Sequence, residues 1–252
     1  MQLTISRYIF LLLLILACGT KPREESLSMK EDIGSKNEAF SSEIILINAP
    51  DIDRCDIADL IQSLTKCGPK AIGINFLFIE RKEGKCDSLL KKAISDSDRV
   101  ILTEGFEEGK HIESNEQFRN AAFLTGPSGV SQNDQGIASH YYRLIDHRGR
   151  WEMSFPFLLA LQYDKTRAAE LSSKVTPKNY PITVNQGRDS FTVVDYNDHL
   201  MGDCNIFSQK IVIVGYLGTE AIDKFQINTS SRTEYGTIII ANVILDILKD
   251  LE

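Results

Sequence analysis

The sequence lacks any apolar run long enough to cross a bilayer. The most extended one, Tyr8 to Leu16, holds nine residues, about 14 Å of helix at ~1.5 Å per residue and roughly half the hydrocarbon thickness. It also lacks basic clusters interleaved with aromatics, and 28 Lys and Arg against 35 Asp and Glu leave a net charge of −7. That balance repels phosphate backbones, so nucleic acid is not an expected partner. The Gly-x-x-x-x-Gly-Lys and Gly-x-Gly-x-x-Gly spacings that cradle phosphates are missing. The four histidines, His111, His140, His147 and His199, show no HExxH or HxH spacing and have no Cys pair beside them, so no metal site is legible and no cofactor is expected. Gly126-Pro127-Ser128-Gly129 falls one residue short of a Gly-x-Ser-x-Gly nucleophile elbow and leads into a polar loop. Catalytic residues are therefore not expected, and a hydrolase with an unrecognised site is the least supported reading.

What is present at the start is a signal-peptide layout over residues 1–17: Arg7, the apolar run, then Ala17 ahead of a cysteine. Ile15-Leu16-Ala17-Cys18 resembles the bacterial lipobox, which implies cleavage before Cys18 and lipidation of that residue. The mature chain would lose Arg7 alone among its charges, leaving 27 basic and 35 acidic side chains and a net charge of −8. Acyl chains rather than electrostatics would then hold it to the membrane. Residues 18–42 are rich in Lys, Glu and Ser and have no sustained apolar face, the composition of a disordered tether. The expected location is the cell envelope, lipid-anchored and facing the periplasm or the exterior.

Residues 43–252 read as one α/β domain, with a mostly parallel central sheet flanked by helices and an antiparallel hairpin region. Ile44 to Ile47 is a continuous β-branched run, the pattern of a strand buried on both faces. Asp53 to Cys67 places Ile57, Leu60, Ile61 and Leu64 at helical spacing and stops at Gly68-Pro69. A strand over Ala71 to Phe78, a helix over Asp87 to Ser95 and a strand over Arg99 to Thr103 continue the alternation. Further on come a short segment at Ala121 to Leu124, a strand through Gly136 to Ile145 with Trp151 to Phe155 pairing back, and a helix begun by Pro156. A shorter helix over Thr166 to Ser172 is expected next. Ile182 to Val184 and Phe191 to Val194 look like a hairpin around Asn185-Gln186-Gly187. Ile211 to Gly215 is a strand and Tyr235 to Leu251 a closing helix.

In an open parallel sheet, ligands bind beyond the carboxyl ends of the strands. That edge collects Asn48, Asp51, Asp53, Asn75, Glu80 and Glu104, with Gly215, Gly218, Thr219 and Asp223 after the late strand. Of these, Asn48, Asp51, Asn75, Gly218, Thr219 and Asp223 are the expected ligand-binding residues for a small polar or cationic ligand. The competing reading makes Asp51 and Asp53 helix caps and the glycines plain turns. Cys55, Cys67, Cys86 and Cys204 are even in number in an oxidising compartment. Cys55 and Cys67 lie about 18 Å apart along one helix at ~1.5 Å per residue, too far to pair. The topology favours Cys55 with Cys86 and Cys67 with Cys204, the alternative being buried free thiols.

Several segments, in shared order and spacing, carry a family resemblance: Ile44 to Asn48, Cys67 to Phe78, Gly136-Ile137-Ala138 leading to Arg143, Ser154 to Gln162, and Lys210 to Gly215 through Asp223-Lys224-Phe225. Over Ile44 to Leu248 the chain resembles the second family of CHASE domains, extracellular sensory modules of bacterial cyclases and kinases. The resemblance implies a non-enzymatic, ligand-binding sensory domain. Family members commonly carry Asp where this chain has Asn48 and Asn75, an exchange that keeps size, loses charge and gains a donor. They also continue into transmembrane helices and a cytoplasmic catalytic domain, whereas this chain stops at Glu252, so it is expected to have no output domain of its own. The alternative reading is an interaction module for another envelope protein.

Overall fold

The computed structural model describes residues 41–50, 52–82, 84–107, 110–133, 135–147, 149–199, 203–218, 223–227 and 232–250. The signal peptide, Cys18, the tether, Asp51 and Thr219 lie outside them. Runs of unbroken apolar residues demand burial on both faces, and the main sheet answers that demand. Its parallel part has the order β11 (Thr192–Asp195), β1 (Ile44–Asn48), β12 (Ile211–Gly215), β2 (Ala71–Ile74), β3 (Val100–Glu107) and β5 (Leu124–Pro127). β4 (Lys110–Ile112) pairs antiparallel with the far end of β3.

The two faces are separate cores because side chains alternate along each strand. Ile45, Ile47, Ile72, Ile74, Val212 and Val214 pack under α1 (Arg54–Cys67) and α2 (Lys85–Asp96). Ile44, Leu46, Ile211 and Ile213 meet α4 (Phe155–Tyr163) and α7 (Gly236–Lys249), both buried along most of their length. α4 lies close against the strands: a Cβ on Gly126 would stand 2.7 Å from the Leu158 Cδ1. A short helix α3 (Glu116–Arg119) precedes β5, α5 (Lys165–Lys174) follows α4, and α6 (Tyr196–His199) follows β11.

A second sheet has the order β10 (Asn179–Pro181), β7 (Ile137–Tyr142), β13 (Lys224–Ile227) and β14 (Thr233–Tyr235), with β6 (Val130–Gln132) also on β7. β8 (Leu144–His147) and β9 (Arg150–Met153) form a two-stranded ribbon. Among the described residues no helix is long and apolar enough to cross a membrane. The two pairings that the topology favours both form disulfides, Cys55–Cys86 with Cα atoms 4.6 Å apart and Cys67–Cys204 with 4.8 Å. The first joins the N-terminal turns of α1 and α2; the second ties the end of α1 to the chain before β12.

Four boundaries differ from the sequence reading. β2 ends at Ile74, not Phe78: the Asn75 N–H makes a last bond to Val214 of β12, and the Phe78 N–H goes to the Ser114 hydroxyl instead of a neighbouring strand. The strand expected at Ala121 begins only at Leu124, since Ala121 and Ala122 still bond back to Phe118. The expected strand from Gly136 to Ile145 breaks at Arg143, a buried side chain ion-paired to Asp250 and lying 4.2 Å from the Tyr180 ring centroid. Finally, Ile182 to Val184 and Phe191 to Val194 do not form a hairpin. The first follows β10, whose partner is β7, while the second runs parallel to β1 at the edge of the main sheet. Apolar alternation identifies a strand but does not name its partner.

Candidate functional site

The carboxyl ends of β1, β2, β3, β5 and β12 open into a cleft of about 1090 Å³. One side is built by the first turns of α1 and α2. Asp53 caps α1 in a reciprocal box: its carboxylate accepts from the Asp56 N–H at 2.9 Å, and Asp56 accepts from the Asp53 N–H at 3.3 Å. Next to it Arg54 pairs with Asp87 at 2.5 Å and lies over the Phe78 and Phe118 rings, 5.9 and 5.3 Å from their centroids. Asp87 also accepts from the Lys82 N–H and the Gln117 amide. These charges are spent on one another, and they fix the wall.

The opposite side is made by Tyr216, Asp223, Phe225 and Gly236, with Asn75, Phe76, Leu77 and Phe106 between. Asn75 donates its amide to the Thr237 hydroxyl at 3.2 Å. Gly215 makes room for that hydroxyl, since a Cβ there would come within 2.2 Å of it, so this glycine serves close packing rather than an anion cradle. Asp223 is different in kind. Burial pushes its carboxyl up to about 6, and no cation or side-chain donor among the described residues offsets the cost. It sits at positive φ (58°), and its oxygens come within 2.8 Å of where a Cβ on Gly236 would stand, against the first turn of α7. The partial positive charge of that helix end is the feature beside it that favours an anion.

Of the expected ligand residues, Asn75 and Asp223 face the cleft together. Asn48 does not: its amide donates to Asp195 at 2.7 Å, and its oxygen accepts from the Leu217 N–H at 2.9 Å, tying β1 to β11 and to the loop after β12. Gly218 is also off the cleft; its carbonyl accepts from the Tyr235 hydroxyl, and the Tyr216 ring fills the space beside its α-carbon. Asp51 and Thr219 lie outside the described residues. Glu80 is exposed and gives only its carbonyl to Arg54, whereas Glu104 is buried on the cleft wall. The sequence reading missed the aromatic lining of Phe76 and Tyr216, just past the ends of β2 and β12, and of Phe106 and Phe225, inside β3 and β13. It also missed the Arg54–Asp87 pair, although first-turn residues of helices that follow parallel strands belong to this edge by topology.

The CHASE2 domain model matches residues 34–251. The chain belongs to the CHASE2 domain family. CHASE2 domains are extracellular sensory domains, and they sense rather than catalyse. No curated protein and no solved structure shows significant similarity to the chain.

The isolated carboxyl gives this CHASE2 domain a definite pH signature. Its folded pKa of about 6 stands above the ordinary 3.8, so the neutral acid is favoured by folding. The stability it contributes is complete below pH 4 and is lost as pH rises through 6. Asp223→Asn copies the neutral form and tolerates positive φ. Urea unfolding should find this variant more stable than the parent above pH 6, by at most ~3 kcal/mol, with the difference gone below pH 4. An equal difference at both ends would show that Asp223 ionises freely in the fold.

Proposed function

We propose that this CHASE2 domain is an extracytoplasmic, lipid-anchored sensor whose cleft takes a small cationic ligand with an apolar body. The observation that carries the reading is Asp223, a largely buried carboxyl without a countercharge among the described residues. It lies in a cleft walled by Phe76, Phe106, Tyr216 and Phe225. A ligand ammonium beside Asp223 would pull its pKa down and replace an uncompensated burial by an ion pair, while aromatic faces attract the same charge. The lining combines apolar and aromatic surface with placed polar groups, the usual make-up of a small-molecule site. Asn75 offers an amide oxygen to an ammonium without adding a second charge. Of the acids on the wall, Asp53 is held by a helix cap and Asp87 by Arg54.

The alternative, an envelope-protein partner, draws on Leu77 and Phe106, apolar side chains exposed at the cleft rim. A thermal-shift screen of primary and quaternary amines against neutral and anionic metabolites separates the two readings. At least one organic cation should raise the Tm, and Asp223→Asn should abolish that rise. A Tm unmoved by every cation, with one protein recovered in stoichiometric amount after crosslinking in cells, would favour the partner instead.

The anchoring is read from Leu16-Ala17-Cys18 and the polar residues that follow. Cells grown with labelled palmitate should incorporate label into the chain, and Cys18→Ser should remove the label and release the protein from the membrane fraction. Label retained by Cys18→Ser would refute the assignment.

A further inference from the structure

Two antiparallel ribbons bring together side chains that are far apart in the sequence. On the first, Phe106 of β3 faces His111 of β4, and the same register sets Glu104 across from Glu113. On the second, His147 of β8 lies diagonally from Glu152 of β9, on the same face. His111 and His147 meet edge to face with ring centroids 4.2 Å apart. One donor atom from each of His111, His147 and Glu152 lies within 4.8 Å of the other two, and Glu104, His111 and Glu113 form a second such group.

The decisive atom is His111 Nε2. The His111 and Glu104 side chains are each only 6% exposed, and Nε2 stands 2.9 Å from a Glu104 carboxylate oxygen. Yet Nε2 makes no hydrogen bond. A histidine placed for an ion pair would aim its N–H at the acid, and a buried ring nitrogen left without a bond is costly. On the other side of the same ring, Nδ1 is 3.8 Å from Glu113, which is itself paired with Arg119 at 3.1 Å. A carboxylate held behind one ring nitrogen is how proteins orient the other nitrogen toward a metal.

We infer that His111, His147, Glu152 and Glu104 form a site for a divalent transition metal of the zinc class. Two neutral imidazoles and two carboxylates balance a dication, and this nitrogen and oxygen set suits zinc, cobalt or nickel better than calcium, which takes more oxygens. Tetrahedral bonds of about 2.1 Å set ligand atoms about 3.4 Å apart. His147 Nδ1 and the Glu152 oxygen are already at 3.4 Å, so closure needs side-chain rotation at the two partly exposed ribbon residues. The metal would clamp the β8–β9 ribbon to the β3–β4 hairpin and set a dication beside the cleft wall at Glu104. This site is separate from the Asp223 carboxyl and does not depend on what the cleft binds.

The test is calorimetric titration of the full chain, disulfides intact, with ZnCl₂ and in parallel with CaCl₂, together with the visible spectrum in CoCl₂. One zinc per chain should bind, calcium should give no saturable heat, and cobalt should show the absorption of a four-coordinate ion. His147→Ala and Glu152→Gln lie on the ribbon, so they test the site even where His111→Ala fails to fold. Combined, they should weaken zinc by more than the about 10- to 100-fold that losing an outer partner costs. Absence of saturable zinc binding to the parent, or undiminished binding to the folded double variant, would overturn the assignment.

Discussion

The structure depends on one constraint: its central strands are apolar at every position, so the sheet must be covered on both faces. Ile44 to Ile47 and Ile211 to Val214 have no polar side to give to water, and each alternate residue enters a different core. Two helical layers follow from that, and with them a parallel sheet joined by crossovers. Polar side chains that are denied the faces collect at the strand ends. The cleft is where the carboxyl ends of five strands, the N-terminal turns of α1, α2 and α7, and their charges converge.

Much of this was legible because the signals were local. The capping residue Asp53, the Gly68-Pro69 stop and the β-branched runs mark α1, β1 and β12 without reference to anything distant, and the placement of their ends narrows which cysteines can pair, though not whether they do. What was not legible depended on partners far away in the chain. Thr192 to Asp195 has strand character on its own, but that it lies beside β1 is decided by the Asn48–Asp195 bond and by a register that only the fold creates. His111 and His147 likewise carry no spacing signal, since two ribbons and not a motif bring them together.

The site residues divide along the same line. Topology placed Asn48, Asn75, Gly218 and Asp223 at one edge; Asn75 and Asp223 line the cleft there, and Asn48 and Gly218 do not. Whether a side chain there faces ligand or scaffold turns on local bonds. Asn48 both donates to Asp195 and accepts from Leu217, a pair of roles that a carboxylate cannot fill. Its amide therefore strengthens the frame where family members commonly place a charge. Asp223, farther along the chain, puts a carboxyl into the cleft from the other wall, where burial keeps it uncompensated.

That account is tested most directly by following the Asp223 carboxyl carbon by NMR as pH is varied in the free protein. A midpoint near 6 is the result expected of a carboxyl held in the cleft without a countercharge. A midpoint near the ordinary aspartate value of about 3.8 would mean that water or a hidden cation already serves it, and the proposed ligand site would lose its anchor.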